Sequence, residues 1–389
     1  MILIQGAHVF APEDQGIQDV LIGGGKILKI GRQLPVQESY GVTCIDGRGK
    51  YLFPGFIDGH VHILGGGGEG GYKTRTPEIM LTDIIKGGVT TVVGCLGTDG
   101  TTRTMTNLIA KARGLEEEGI TAWIYTGSYQ VPVRTLTGTI IDDLILIDKV
   151  IGTGEVALSD HRSSQPTVDE FKRIAGDTRV GGILSGKAGI VNIHLGDGKR
   201  KLSYLKEVLE QTEILPENLL PTHINRSTAL MEEGISYAKD YRGYIDLTTS
   251  SDPDYLEPDE VKASTGLKMA LDAKVPVSQI TFSSDGQGSL PIFDEDGKFA
   301  GLGVGKVTSL YREMKDAVIQ EGVPLSDALS VITENPARLL KLPGKGQIRE
   351  GADGDLVLAD SESLEIDTVL AKGKRMISKG EILVKGTFE

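Results

Sequence analysis

Two histidines separated by one residue, His60 and His62, close the run Phe56-Ile57-Asp58-Gly59-His60-Val61-His62. In an extended chain residues two apart project to the same side, so both imidazoles face one point, which is half of a metal site. His194 follows Val191-Asn192-Ile193, His223 follows Leu220-Pro221-Thr222, and Asp285 ends Thr281-Phe282-Ser283-Ser284. Neutral imidazole and carboxylate are the ligands expected for Zn2+ and similar borderline cations, and two such ions need a shared anion to offset their repulsion. Glu155, directly ahead of Val156-Ala157-Leu158, can supply it, because a carboxylate in a buried apolar run is hard to justify without a cation. A lone strand-end histidine is more often a hydrogen-bonded structural residue than a ligand. A His-x-His pair with two further histidines on later runs reverses that preference. Of the other histidines, His8 reads as a surface or turn residue and His161 as at most a partner to a ligand.

Gly65-Gly66-Gly67-Gly68-Glu69-Gly70-Gly71 follows His62 closely but lacks the Gly-Lys-Ser/Thr ending of a phosphate cradle. It reads instead as a loop whose backbone can approach a ligand, with Glu69 as its one charged side chain.

Eight apolar runs of strand length could position these groups: Phe53 to Asp58, Thr91 to Cys95, Ala122 to Thr126, Glu155 to Ser159, Val191 to Leu195, Leu219 to His223, Tyr244 to Leu247 and Gln279 to Ser283. Segments with helical spacing separate them, the texture of repeated β/α units. Eight parallel strands over about 250 residues suit a (β/α)8 TIM barrel, in which chemistry gathers at the strands' C-terminal ends. A Rossmann sheet would need a glycine fingerprint after its first strand, and Met1 to Lys50 offers none. Before and after the barrel the pattern is short alternating strands, including Asp19 to Ile22, Lys26 to Ile30, Asp355 to Leu358 and Thr368 to Ala371. The expected division is a barrel over 54–342 and one small discontinuous β-sandwich domain built from 1–53 and 343–389.

The chain has 389 residues, 39% hydrophobic content and a formal net charge of −13. That is enough to bury one large core and a satellite, and dispersed negative charge without a polybasic run disfavours nucleic acid or an anionic membrane as partner. A small-molecule substrate fits better. No apolar run reaches the length of a membrane span and Met1 to Phe10 has no signal-peptide pattern, so the expected location is cytoplasmic. Cys44 and Cys95 each lie in an apolar run and read as buried thiols rather than a disulfide framework.

Pro54-Gly55-Phe56-Ile57-Asp58-Gly59-His60-Val61-His62 resembles the opening metal motif of the amidohydrolase superfamily. Asn335-Pro336-Ala337-Arg338 and Gly351-Ala352-Asp353-Gly354-Asp355-Leu356-Val357 resemble its return from barrel to small domain. Within it, the chain is similar from end to end to bacterial isoaspartyl (β-aspartyl) dipeptidases. His62-Ile63-Leu64 with the glycine loop, Gly97-Thr98-Asp99, Ser159-Asp160-His161-Arg162-Ser163, Pro221-Thr222-His223-Ile224-Asn225-Arg226 and Ser283-Ser284-Asp285-Gly286 carry that likeness. The resemblance implies that His60, His62 and Asp285 hold one zinc ion and His194 and His223 a second, with Glu155 bridging. Some members bridge with a carbamylated lysine, so Glu155 implies activity independent of CO2.

A hydroxide between the two zinc ions would attack the scissile amide, with Asp285 as general base and then acid and Tyr129 as donor to the developing oxyanion. A β-aspartyl dipeptide carries one ammonium and two carboxylates, so its site should offer one acid and two cations. The resemblance assigns Glu69 to the ammonium, Arg162 and Arg226 to carboxylates, and Thr98 and Ser289 to neutral hydrogen bonds. Outside the resemblance, Arg162 and Arg226 read equally as structural ion-pair partners. Relatives assemble from identical subunits, which implies a homo-oligomer. Two other readings stay open: a cyclic-amide hydrolase of the dihydroorotase or hydantoinase type, and a non-catalytic barrel serving as an assembly module.

Overall fold

The computed structural model describes residues 1–35, 41–251, 259–293 and 299–389. Strands β1 (Ile2–Phe10), β2 (Asp14–Gly23) and β3 (Lys26–Gly31) form an antiparallel meander, and β1 also pairs in parallel with β4 (Thr43–Asp46) and β5 (Lys50–Pro54). Gly55 then passes the chain to a second sheet, donating its amide to Asp355 O at 2.7 Å. The run expected from Phe53 to Asp58 is therefore two strands. Pro54 still belongs to β5, where it faces Leu356, and only Phe56 begins β6 (Phe56–Val61).

Strands β6, β7 (Val89–Gly94), β8 (Thr121–Thr126), β9 (Val150–Leu158), β10 (Ile190–Leu195) and β11 (Leu219–Thr222) make a parallel sheet in sequence order. Strands β12 (Ile245–Thr248) and β13 (Ile280–Ser283) form a parallel pair beside it. The ring closes on β6 where Asp285 N donates to His60 O at 3.1 Å and His62 N to Gly286 O at 2.9 Å. At the other seam Thr222 Oγ1 donates to Asp246 Oδ2 at 2.7 Å. Nearly every residue of these strands is buried, as expected for a parallel sheet covered by helices.

Those helices run in chain order as α1 (Leu81–Ile85), α2 (Met105–Glu118), α3 (Ile140–Leu146), α4 (Val168–Ser185), α5 (Ser203–Gln211), α6 (Thr228–Asp240), α7 (Ala263–Asp272), α8 (Ser309–Ile319), α9 (Leu325–Ser330) and α10 (Glu334–Leu339). Their starts are written in the sequence: Thr104, Thr139, Thr167 and Ser227 accept a backbone amide at the N-termini of α2, α3, α4 and α6, and Thr167 with Glu170 completes a capping box. A hairpin of β14 (Ser289–Phe293) and β15 (Phe299–Val304) follows β13.

The remaining strands, β16 (Leu356–Asp360), β17 (Ile366–Ala371), β18 (Lys374–Ser378) and β19 (Glu381–Ile382), return to the first sheet, where β16 pairs with β5. The sheet curls over its own core: Ile4, Ile27, Leu52, Leu358 and Leu370, from both ends of the chain, form one buried cluster. Cys44 departs from expectation and is exposed, while Cys95 is buried. Cys44 lies in β4, which among the described residues pairs only with β1 and lies off the main strand path, so little covers it. Among the described residues no helix is long and apolar enough to cross a membrane.

Candidate metal centre

Glu155 was expected at the start of its strand, but β9 begins at Val150 and carries Glu155 well inside the barrel. Gly152-Thr153-Gly154, left outside the expected run, is strand with a bulge. Thr153 opposes Val191 and Val156 opposes Ile193, so Gly154 and Glu155 together face Asn192. Gly154 has φ 153°, and a Cβ there would stand 2.8 Å from Asn192 O, so the bulge admits only glycine.

The bulge delivers a fully buried carboxylate into a ring of imidazoles. Glu155 Oε1 lies 3.3 Å from His62 Nε2, and Oε2 lies 3.3 Å from His60 Nε2, 3.3 Å from His194 Nδ1 and 3.8 Å from His223 Nε2. Asp285 Oδ1 lies 3.0 Å from His62 Nε2 and 3.6 Å from His60 Nε2. Both Glu155 oxygens, Asp285 Oδ1 and His60 Nε2 are buried without a hydrogen bond. Leaving that many polar atoms unsatisfied is costly unless something charged binds among them. Two groups share Glu155 and have ligand-like spacing: His60, His62, Cys95 and Glu155, and Glu155, His194 and His223. The donor set fits divalent cations. Cys95 had no place in the sequence-based set; its Sγ lies 3.7 Å from His62 Nδ1.

The nitrogens turned away from Glu155 are also held. His60 Nδ1 meets Asn192 Oδ1 at 3.0 Å, His223 Nδ1 meets Thr248 Oγ1 at 2.6 Å, and His194 Nε2 meets Asp160 Oδ2 at 3.0 Å. Such partners fix the ring and its tautomer, leaving the other nitrogen's lone pair for a cation. His223 (φ 62°) and Asp285 (φ 53°) take left-handed backbone conformations at their strand ends, so the chain turns sharply just as each side chain reaches the centre.

Burial opposes charge on Glu155, yet His60, His194 and His223 outweigh it and hold its carboxyl well below the usual range. Asp285 is likewise lowered, against burial, chiefly by His62. His60 and His62 are raised well above the ordinary imidazole value, because Cys95 and the facing carboxylates overcome burial. His223 is pushed down to about 3 by burial and by neighbouring His194.

Tyr129 lies in the loop after β8, its hydroxyl 2.8 Å from His194 Nδ1. Burial, reinforced by Glu155, raises its pKa well above normal, so the phenol stays a proton donor. Asp143, on α3 and fully buried, shapes that loop by accepting from the amides of Leu136 and Thr137 at 2.8 Å each and from Thr137 Oγ1 at 2.6 Å.

A cavity of about 520 Å3 opens over the centre, and His62, His194, His223, Asp285 and Tyr129 form its floor. Glu69, Thr98, Arg162, Arg226 and Ser289 line its walls. Thr98 Oγ1 donates to Glu69 Oε1 at 2.7 Å. Arg162 is engaged in an ion pair, with Nη2 at 2.7 Å and Nε at 3.0 Å from the two oxygens of Asp160, and its Nη1 lies 3.6 Å from Glu69 Oε1. Arg226 is different: its Nε is buried with no hydrogen bond among the described residues. His161 is exposed at the rim, and His8 lies in β1 beside Asp14, remote from the centre. The sequence reading missed the lining contributed by the hairpin residues Leu290, Pro291, Ile292 and Val304 and by Ser250 and Lys306. No local pattern marks those residues. Asp160, by contrast, stood in the Ser-Asp-His-Arg segment and could have been found.

This fold and centre are those of a metal-dependent hydrolase. A model of the amidohydrolase family matches residues 51–376, and the chain belongs to that family. Among solved structures, a β-aspartyl dipeptidase of the thermophilic keratin degrader Fervidobacterium islandicum AW-1, crystallised with β-Asp-Leu dipeptide, is 48% identical with TM-score 0.89, covering 98% of each chain. That bears out the resemblance to isoaspartyl dipeptidases. A D-hydantoinase from Thermus sp. is 16% identical with TM-score 0.67, covering 99% of this chain and 97% of its own, and shares the fold. Allantoinase of Deinococcus radiodurans is 25% identical over 427 residues, 98% of this chain and 91% of the relative.

Proposed function

We propose that the protein is a β-aspartyl (isoaspartyl) dipeptidase working with two zinc ions. Carrying the reading is one observation: an enzyme crystallised with β-Asp-Leu is 48% identical to this chain along nearly its whole length. The cavity's chemistry agrees, since Glu69, Arg162 and Arg226 line it together with His62, His194 and His223. His60, His62 and Asp285 would hold one cation, His194 and His223 the other, and Glu155 would bridge them. Such cations would acidify a water and polarise the scissile carbonyl.

The protein's own groups do the rest. Asp285, ionised and facing the centre, accepts the proton of the attacking water and passes it to the departing amine. Tyr129, kept protonated, donates its phenolic hydrogen to the carbonyl oxygen as charge develops there. Glu69, steadied by Thr98, takes the substrate ammonium. Arg226 brings an unspent Nε–H donor to a carboxylate, while Arg162, already clamped by Asp160, offers its remaining face. Ser289 adds a neutral hydrogen bond from the start of β14.

Purified protein should hydrolyse β-Asp-Leu and contain close to two divalent ions per chain. Dihydroorotate and hydantoin measured alongside test the ring-amide alternative, and turnover of those without β-Asp-Leu would replace the present reading. Absence of turnover on all three would favour a non-catalytic barrel.

A further inference from the structure

We infer that Asp160 is a positioning residue that sets the tautomer of His194 and the aim of Arg162 through one carboxylate; this rests on the two-cation dipeptidase reading. Asp160 lies just beyond β9 and is buried. Its Oδ2 is shared by His194 Nε2 at 3.0 Å and Arg162 Nη2 at 2.7 Å, and its Oδ1 accepts from Arg162 Nε at 3.0 Å and from the Arg162 backbone amide at 2.7 Å. Arg162 Nη2 and His194 Nε2 are themselves 3.1 Å apart. Asp160 Oδ2 can only accept and Arg162 Nη2 can only donate, and Nη2 already donates to Oδ2 at 2.7 Å; on this inference the His194 proton therefore lies on Nε2, toward Asp160, and the lone pair on Nδ1. Nδ1 is the nitrogen that faces Glu155 Oε2 at 3.3 Å and the Tyr129 hydroxyl at 2.8 Å.

The backbone is shaped to keep Asp160 there. Gly196 follows β10 two residues after His194, and a Cβ on it would fall 2.5 Å from both Asp160 Cβ and Oδ2. Any side chain at 196 would take the space that Asp160 fills. One carboxylate thus ties a cation-facing imidazole on β10 to a guanidinium on the cavity wall, so damage to it should appear in cation retention and substrate affinity together.

An asparagine at 160 cannot serve both donors. With its NH2 in the Oδ1 place it opposes Arg162 Nε and the Arg162 backbone amide; in the Oδ2 place it opposes Arg162 Nη2 and His194 Nε2 together, and the imidazole proton must then move to Nδ1. The test compares full-length, zinc-loaded wild type, Asp160→Asn and Gly196→Ala. Metal per chain is read across a chelator series, and kcat and KM for β-Asp-Leu are read with zinc in excess. Both variants should release one cation per chain at about 10- to 100-fold lower chelator. With zinc restored, KM should rise more than kcat falls.

A folded Asp160→Asn protein with the wild-type release curve and KM would overturn the inference, even if its melting temperature dropped. Should that variant fail to fold, Gly196→Ala decides by the same two readouts, since it leaves every charged group in place. A wild type that neither retains cations nor cleaves β-Asp-Leu would instead refute the dipeptidase reading.

Discussion

Glu155 gains its meaning from what surrounds it: two oxygens without a hydrogen bond and four imidazoles, with no lysine or arginine paired to it among the described residues. Asp285 and Glu69 mark the two sides of the proposed chemistry, and each can be tested alone. Asp285→Asn keeps the shape but cannot take the water's proton, so kcat for β-Asp-Leu should fall by about a thousandfold while the circular dichroism spectrum is unchanged. Retention of most activity would remove Asp285 as proton carrier. Glu69→Gln should lower kcat/KM by about 10- to 100-fold, the loss expected for one charged hydrogen bond, without altering metal content. Parallel loss of metal and activity would make the loop acid structural.

Strand β9 does at the level of an element what no side chain does alone. Its bulge turns Glu155 into the barrel, and Gly154 is the residue that permits it. Gly154→Ala meets both a backbone clash and an unfavourable φ, a strain of about 1–3 kcal/mol. It should lower the melting temperature and leave the purified protein short of divalent ions by metal analysis. A fully metal-loaded Gly154→Ala protein would show that the carboxylate reaches the centre without the bulge. The sequence placed the start of this run at Glu155, because two glycines interrupt the apolar pattern ahead of it and the register that makes them part of a bulged strand is set by β10. The run ending in Asp58 was misread for a related reason: whether Pro54 pairs with the small sheet or the barrel depends on β16, some three hundred residues away.

Across the whole molecule, the two ends of the chain are fastened to each other. Asp353 pairs with Lys26 from the N-terminal meander and, at 2.8 Å, with Lys345. Burial opposes its charge, but the two lysines hold its pKa below the usual carboxylate value. A group depressed in the folded state contributes stability above its unfolded pKa of about 3.9 and loses it as pH falls through the lower folded value. Melting temperatures of wild type and Asp353→Asn should therefore differ most above about pH 4 and converge in more acidic buffer. A constant difference from pH 3 to 6 would mean that the pair contributes no charge-dependent stability.

Residue type and short-range spacing already contained the His-x-His pair, the strand-end histidines, Asp285, the glycine loop with Glu69 and the eight-strand rhythm, because these depend on periodicities of two or four residues that any reader of the chain can count. Tertiary structure decided what spacing cannot carry. It brought Cys95 beside His62, paired Arg162 with Asp160 while leaving Arg226 Nε free, exposed Cys44 and raised the hairpin wall over the cavity. Cys95 beside His62 and the hairpin at the cavity are contacts between distant segments, which exist only once the barrel has closed; the Arg162–Asp160 pair is local, but its place against His194 is set by β10.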